Sequence, residues 1–394
     1  MIDYNQVKTP AYIVDENLLI HNLEILKSVI DKTSCKILLA QKGFSMFSLY
    51  PLIGKYLCGT TASSLYEAKL GKEEMEKETH IFSPAYKEEE FDEIASLCDH
   101  IVFNSIEQFV KYKEIAIQAN CSCGIRINPE YAEVPNAIYN PCCVGSRLGI
   151  TAHVLEEELK GDSSVLDNIE GLHFHVMCEQ NSDTLERVLQ HVEEKFAKYL
   201  ALPQIKWVNF GGGHHITRQD YDIELLIKCI DNIQKKYHVQ VYLEPGEAVA
   251  LNTGFLVTTV LSVQKEKFIV DNENKSYEVT SAILDASAAC HMPDVLEMPY
   301  RPMIINSEMP GVLAYTYRFG GNTCLAGDII GDYSFNHQLK AGEKLVFTDM
   351  AHYSMVKNNT FNGIGLPSIM IYNDKDGLYT VKEFGYQDFK ERLS

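Results

Sequence analysis

The stretch "KILLAQKGFS" (residues 36–45) decides how the first two thirds of the chain are read. Ile37, Leu38, Leu39 and Ala40 are an apolar run too short for an ordinary helix, so they predict a buried strand. Lys42 stands at its exit. Gly43 follows, a residue free to take backbone angles that others avoid. An ammonium at the mouth of an apolar core has two readings. It snorkels to solvent from a strand end, or it is a desolvated amine of lowered proton affinity, ready for Schiff-base chemistry.

Outward from that strand the chain keeps alternating. "ENLLIHNLEILKSVI" precedes it at helical spacing. After it come "LCGTTA", the amphipathic "SSLYEAKLGKEEME", "HIFS", "KEEEFDEIASLC", "HIVFN" and "IEQFVKYKEIAIQ". "CGIRINP" leads into an irregular stretch (129–150) and a short helix near 151–160. "GLHFHV", "WVNFGGG" and "VYLEPG" complete the strands, with "DTLERVLQHVEEKFAKYL" and "DYDIELLIKCIDNIQKKY" as the helices between them. Such a series predicts a parallel sheet with crossover helices. The strands number about eight, which closes a (β/α)8 TIM barrel in roughly 250 residues; a doubly wound open sheet has the same periodicity.

Past residue 250 the texture turns β-rich: "FLVTTVLSV", "KFIVD", "SYEVTSAILDA", "DIIGDYSF", "EKLVFTDM", "SIMIYN" and "LYTVKEF", separated by Gly, Asn and Asp turns. This predicts a barrel over 17–250 and a C-terminal all-β domain over 251–394, with "PAYIVD" in the N-terminal 1–16 joining the later sheet. A length of 394 residues already favours two domains over one core.

The net charge of -19 argues against nucleic acid and an anionic membrane surface as partners, and is compatible with a cationic substrate. Eleven cysteines occur without a C-x-x-C, and Cys142 and Cys143 are adjacent, so reduced thiols in a cytoplasmic protein are expected. The N-terminus lacks a secretory pattern, and no apolar stretch is long enough to span a bilayer.

In a (β/α) barrel the chemistry lies at the C-terminal strand ends. There the sequence puts Lys42, then His173 and His175, then Gly211, Gly212 and Gly213, then Glu244 before Pro245-Gly246. The glycines are either a phosphate nest of consecutive N–H groups or a turn that needs their backbone angles. His173 and His175, on one face of a strand, could ligate a metal, but no third ligand has a clear spacing. His214 and His215 read as turn residues. Glu244 inside a barrel mouth would need a positive partner. A pyridoxal phosphate reading uses all of these features: Lys42 for the aldehyde, the glycines for the phosphate, Glu244 for the pyridine nitrogen and His175 stacked on the ring.

Lys42 after the first barrel strand, "GLHFHV", "NFGGG", "YLEPG" and then "GNTCLAGD" in a β domain resemble the fold-type III pyridoxal phosphate decarboxylases, the group of the ornithine and diaminopimelate decarboxylases. Within it, "TPAYIVDENLL", "RINPEYAEV", "SRLGI", "LEPGEAVALNTG", "LDASAACHMPDVLEMPYRP" and "TDMAHYSMVKNNTFNG" are similar to the carboxynorspermidine decarboxylase family, over nearly the whole chain. The resemblance implies Lys42 as the Schiff-base lysine, His175 as the ring-stacking imidazole, Gly211 to Gly213 as the phosphate loop and Glu244 as the pyridinium partner. It also implies Tyr353 as a phosphate contact, Cys324 as the proton donor, Asp328 as a substrate-side acid, and a homodimer with shared active sites. Asp285 and Glu297 are further residues that could line the site. Where the ornithine-type pattern "EPGR" has a basic residue, this chain has Glu247, an anion that a cationic substrate could use. The implied reaction is decarboxylation of carboxynorspermidine or carboxyspermidine in polyamine biosynthesis. A diaminopimelate- or ornithine-type decarboxylase, an inactive regulatory homologue and a metal-dependent barrel hydrolase are the other readings.

Overall fold

The computed structural model describes residues 2–270 and 275–394. The chain divides into two compact units, His21–Val249 and Met1–Ile20 with Ala250–Ser394.

The strands are β1 (Ala11–Asp15), β2 (Lys36–Ala40), β3 (Gly59–Ala62), β4 (Glu78–Phe82), β5 (His100–Phe103), β6 (Ser122–Arg126), β7 (Ile169–His173), β8 (Trp207–Asn209), β9 (Gln240–Leu243), β10 (Gly254–Val270), β11 (Lys275–Leu284), β12 (Tyr315–Gly320), β13 (Ile329–Phe335), β14 (Lys344–Thr348), β15 (Ser368–Asn373) and β16 (Gly377–Lys382). In the first unit β2 to β9 close into an eight-stranded barrel, each strand parallel to its neighbours, with β9 returning to β2. The open-sheet alternative is thereby excluded.

The local causes are plain in the residues. Ile37, Leu38, Leu39 and Ala40 of β2 are all buried, because helices cover the outside of the barrel while side chains fill its inside. The helix Ser182–Leu200 buries Leu185, Val188, Leu189, Val192, Phe196 and Tyr199, a three-and-four spacing that makes one apolar stripe. Ser64 and Ser105 cap the helices that follow β3 and β5, each accepting the N–H three residues on. Inside the barrel Trp207 lies across Gly124 and Gly171 of the two preceding strands. A Cβ on Gly171 would fall 2.0 Å from the indole, so that layer needs the missing side chain.

The second unit is a sheet ordered β13-β12-β11-β10-β1-β15-β16, with β14 also paired to β10. The N-terminal "PAYIVD" run does join it: β1 is antiparallel to β10 and parallel to β15. Tyr12, Leu256, Leu284, Phe319, Tyr333, Phe335 and Phe347 share its core, where each such side chain contributes roughly 1.5–3 kcal/mol by burial. The runs "FLVTTVLSV" and "KFIVD", expected as separate strands, belong to the single long β10. No Gly, Pro, Asn or Asp interrupts 261–268, so nothing there turns the chain; Asp271 of that run lies outside the described residues.

Candidate active site

Parallel strands closed into one barrel carry their C-terminal ends on one rim. That rim holds Lys42 after β2, Arg126 ending β6, His173 ending β7, Asn209 ending β8 and Glu244 after β9. Lys42 is accessible to solvent yet surrounded by protein, as a side chain projecting into the barrel mouth is. Burial lowers its proton affinity, and the Arg126 guanidinium lowers it further, against the opposing pull of Glu244, Glu67 and Cys178. Arg126 is itself buried, which brings it down to about 10. Its Nη2 donates to the His175 carbonyl at 3.0 Å, and its guanidinium lies over the Phe82 ring at 4.5 Å.

Glu244 is 8% exposed and doubly held. Asn209 Nδ2 donates to Oε1 at 2.7 Å, and His173 Nε2 lies 3.2 Å from Oε2. Burial alone would raise the carboxyl, but His173 and Asn209 outweigh it and hold it at about 2. Burial keeps His173 neutral, and an ionised carboxylate only accepts, so Nε2 carries the proton. The sequence had put His175 on the same strand face as His173, but β7 ends at His173. His175 stands in the loop beyond, where its Nδ1 accepts the Gly212 N–H at 2.7 Å.

The glycine stretch is a close-approach turn. Gly211 and Gly213 have positive φ (70° and 83°), and a Cβ on Gly212 would stand 2.4 Å from the Glu244 carbonyl oxygen. The Gly211 N–H goes to Asn209 Oδ1 at 2.8 Å and that of Gly212 to His175. A phosphate here would therefore draw on donors beyond Gly212.

Glu247, which opens the short helix Glu247–Ala250 after β9, has its Oε1 3.2 Å from His215 Nε2. In the sheet unit, Cys324 is exposed at the tip of the β12–β13 hairpin, its N–H bonded to Asn362 Oδ1 at 2.8 Å. Asp328, at the base of that tip, is 3% exposed. Its carboxylate accepts from Ser287 Oγ (2.9 Å), Thr323 Oγ1 (2.7 Å) and the Ala289 N–H (3.2 Å), so it pins the loop that presents Cys324. Asp285 is engaged likewise by Thr9, Thr258 and the Thr259 N–H at 2.6–2.8 Å. Glu297 pairs with Lys357. Tyr353 is half-buried beyond β14 in a left-handed conformation (φ 48°).

Among the described residues two groups bring three metal-ligating atoms within 4.8 Å: Glu78–His80–His100 and Glu179–His215–Glu247. The His173–His175 pair belongs to neither. In the first group the two imidazoles stack at 3.9 Å and 11°. Parallel rings send their in-plane lone pairs side by side and not to one point.

The sequence matches the family described as "Pyridoxal-dependent decarboxylase, C-terminal sheet domain" over residues 11–351. The chain belongs to the pyridoxal-dependent decarboxylases. This decarboxylase is 47% identical to the carboxynorspermidine/carboxyspermidine decarboxylase of Campylobacter jejuni, over 99% of each chain. It is 40% identical to the carboxyaminopropylagmatine decarboxylase of Synechocystis, over 99% of this chain and 96% of that one. Its fold matches the crystal structure of the Campylobacter jejuni carboxynorspermidine decarboxylase complexed with norspermidine at a TM-score of 0.86 and 45% identity, covering 98% of this chain and all of the other. The diaminopimelate decarboxylase of Helicobacter pylori shares the fold at a TM-score of 0.83 with 16% identity.

The cofactor of this carboxy-lyase is pyridoxal phosphate, and the barrel rim fits it. An amine of lowered proton affinity, a buried ionised carboxylate and a turn without side chains stand on one mouth. Sequence reasoning missed Arg126 and Asn209. The signal was a lone polar residue closing each of the runs "CGIR" and "WVN", where a strand end opens on the mouth.

Proposed function

We propose that this decarboxylase converts carboxynorspermidine, carboxyspermidine or both to norspermidine or spermidine and carbon dioxide, in polyamine biosynthesis. The observation that carries the reading is the full-length similarity to enzymes of carboxylated polyamines, joined to a Glu247 that leaves the mouth without the basic residue of the ornithine-type motif. A cationic chain needs carboxylates at a distance from the reacting carbon, and Glu247 supplies one. The diaminopimelate-type alternative is not favoured, because those relatives share the fold at low identity.

Bound pyridoxal phosphate supplies the electron sink for the pair left when the α-carboxylate departs as carbon dioxide. Lys42 would hold it covalently, its amine already biased toward the neutral nucleophile. Glu244 stays charged and so keeps a pyridine nitrogen protonated opposite it. His175 would stack on the cofactor ring, its imidazole held by the Gly212 N–H on Nδ1 and its backbone by Arg126 on the carbonyl. Gly211 to Gly213 would let the phosphate approach the backbone, and Tyr353 would be a further phosphate contact. Cys324 gives a proton to the reacting carbon, and Asp328 keeps its hairpin tip in shape. Asp285, expected on the substrate side, is held in place by Thr9, Thr258 and the Thr259 N–H.

The working unit in this proposal is a homodimer with shared active sites. Tyr300, Met303, Met309, Val312 and Leu325 expose large apolar side chains around the cysteine hairpin, as an interface between copies would require. Eleven unbridged thiols suit the cytoplasm. No helix among the described residues is long and apolar enough to cross a membrane.

The test is turnover by the purified holoenzyme of carboxynorspermidine, carboxyspermidine, carboxyaminopropylagmatine, diaminopimelate and ornithine, followed by carbon dioxide release and amine chromatography. The highest kcat/KM should fall on a carboxylated triamine. The two triamine precursors differ by one methylene, worth about 1–3 kcal/mol. Faster turnover of diaminopimelate or ornithine overturns the reading.

A further inference from the structure

Three segments of the barrel rim converge: the loop after β7 brings Glu179, the loop after β8 His215, and the short helix Glu247–Ala250 after β9 opens with Glu247. The first two loops are stitched together by backbone. Gln180 and His214 form an isolated bridge, the Gln180 N–H donates to the Gly213 carbonyl at 3.0 Å, and the His215 N–H to the Gln180 carbonyl at 3.2 Å. Arg218 organises the cluster from behind. Its Nη1 donates to the Glu179 carbonyl (3.3 Å), its Nη2 to Asn181 Oδ1 (2.8 Å) and its Nε to Asp220 Oδ1 (2.6 Å). The same Nη1 lies 3.4 Å from His215 Nδ1.

That last contact fixes a tautomer. A guanidinium only donates, so His215 Nδ1 carries the lone pair and Nε2 the proton. Nε2 stands 3.2 Å from Glu247 Oε1, but its N–H is not aligned on that oxygen. The imidazole, 6% exposed, thus has a buried donor aimed beside a carboxylate. Glu179 contributes a second carboxylate from a backbone held at φ 55°, a conformation that costs energy for a residue with a side chain. A Cβ on Gly43, the residue after Lys42, would stand 3.2 Å from the Glu247 nitrogen, which puts the cluster on the same mouth as the lysine.

We propose that His215 is a positioning residue. Oriented by Arg218, it stands with Nε2 3.2 Å from Glu247 Oε1 and restrains that carboxylate electrostatically, so that Glu247 and Glu179 together seat the ammonium of the substrate remote from the reacting carbon. The inference rests on the proposed polyamine substrate. Two carboxylates around one ammonium favour a cation over neutral chains, and the imidazole donor keeps one carboxylate from swinging away.

The experiment compares the holoenzymes of Glu247→Gln, His215→Phe, His215→Gln, Glu179→Gln and the double variant Glu247→Gln/His215→Phe. It reads KM and kcat for carboxynorspermidine, norspermidine binding by calorimetry, and cofactor absorbance as the control for folding. Glu247→Gln and His215→Phe should each raise KM, and weaken norspermidine, about tenfold with little change in kcat. Glu179→Gln should do so severalfold. His215→Gln, whose amide nitrogen replaces Nε2–H, should restore most of the affinity. The double variant should bind no worse than Glu247→Gln, because the histidine acts through the carboxylate. An unchanged KM in Glu247→Gln overturns the substrate reading itself. A raised KM in Glu247→Gln with none in His215→Phe overturns the positioning role alone. Additive losses, or no rescue by glutamine, overturn it as well. Tight binding of Mn²⁺ or Zn²⁺ that norspermidine does not displace and that His215→Phe abolishes would make the triplet a metal site and overturn the ammonium seat.

Discussion

The Asn209 side chain bridges two parts of the rim: Nδ2 donates to Glu244 Oε1 at 2.7 Å, while Oδ1 accepts the Gly211 N–H at 2.8 Å. One amide thus ties the charge of the carboxylate to the shape of the glycine turn. Asn209→Leu removes a hydrogen bond that opposes burial, so the Glu244 carboxyl should rise from about 2. The ionised form is the useful one, so the acid limb of the pH–rate profile should move to higher pH. The lost bond to a charged group, about 1.5–3 kcal/mol, sets the expected fall in kcat at roughly tenfold or more. A pH profile identical to that of the wild type would show that Asn209 does not tune Glu244.

Glu244→Gln tests the carboxylate directly. The amide is nearly isosteric and keeps a partner for Asn209, so fold and cofactor content should survive. A neutral amide cannot hold a pyridine nitrogen protonated, and decarboxylation should slow by orders of magnitude. Near-normal turnover in single-turnover measurements would remove Glu244 from that role.

Gly212→Ala separates the turn from the chemistry. The new Cβ would stand 2.4 Å from the Glu244 carbonyl oxygen and 3.2 Å from His175 Cε1. Backbone cannot swing aside as a long side chain can, so a loss of roughly 1–3 kcal/mol is expected, with weaker cofactor retention. Gly365→Ala, with nothing within 4 Å of the added carbon, is the control and should melt within a degree or two of the wild type. Equal melting temperatures for both variants would sink the close-approach argument.

The barrel was legible because each of its strands is a short apolar run between helices whose stripe is equally clear; Ile37 to Ala40 and Leu185 to Phe196 are the pattern in small. The rim positions of Lys42 and Glu244 were legible because each follows an apolar strand run, beside Gly43 or Pro245. Arg126 and Asn209 were not, since a single polar residue after an apolar run gains meaning only when the closed barrel supplies its partner from another strand. The same holds for Arg218 and His215, three residues apart in a loop with no periodicity to read. β12 was missed because "YTYRFG" is brief, and its parallel partner β11 lies across a long connection. Long-range pairing is what local pattern carries least.

A site shared between two subunits, as proposed, would make the last prediction quantitative. Lys42→Ala should remove the visible absorbance of lysine-bound cofactor along with turnover, and borohydride trapping with peptide mapping on the wild type should modify Lys42. Cys324→Ala should lose most activity while keeping that absorbance, since the thiol sits in the sheet unit at a hairpin tip. Water can also protonate the reacting carbon, so its residual rate is measured first and subtracted. If one subunit supplies Lys42 and its partner Cys324, equal mixtures of the two variants that have exchanged subunits contain about one half mixed dimers, by random pairing in a two-fold assembly. Each mixed dimer then has one site with both residues intact and one with neither. Activity should return to roughly a quarter of the wild type. If both residues come from one chain, no pairing creates an intact site and nothing returns. Subunit exchange is verified independently with differently tagged chains, so a flat result after confirmed exchange rules the shared site out.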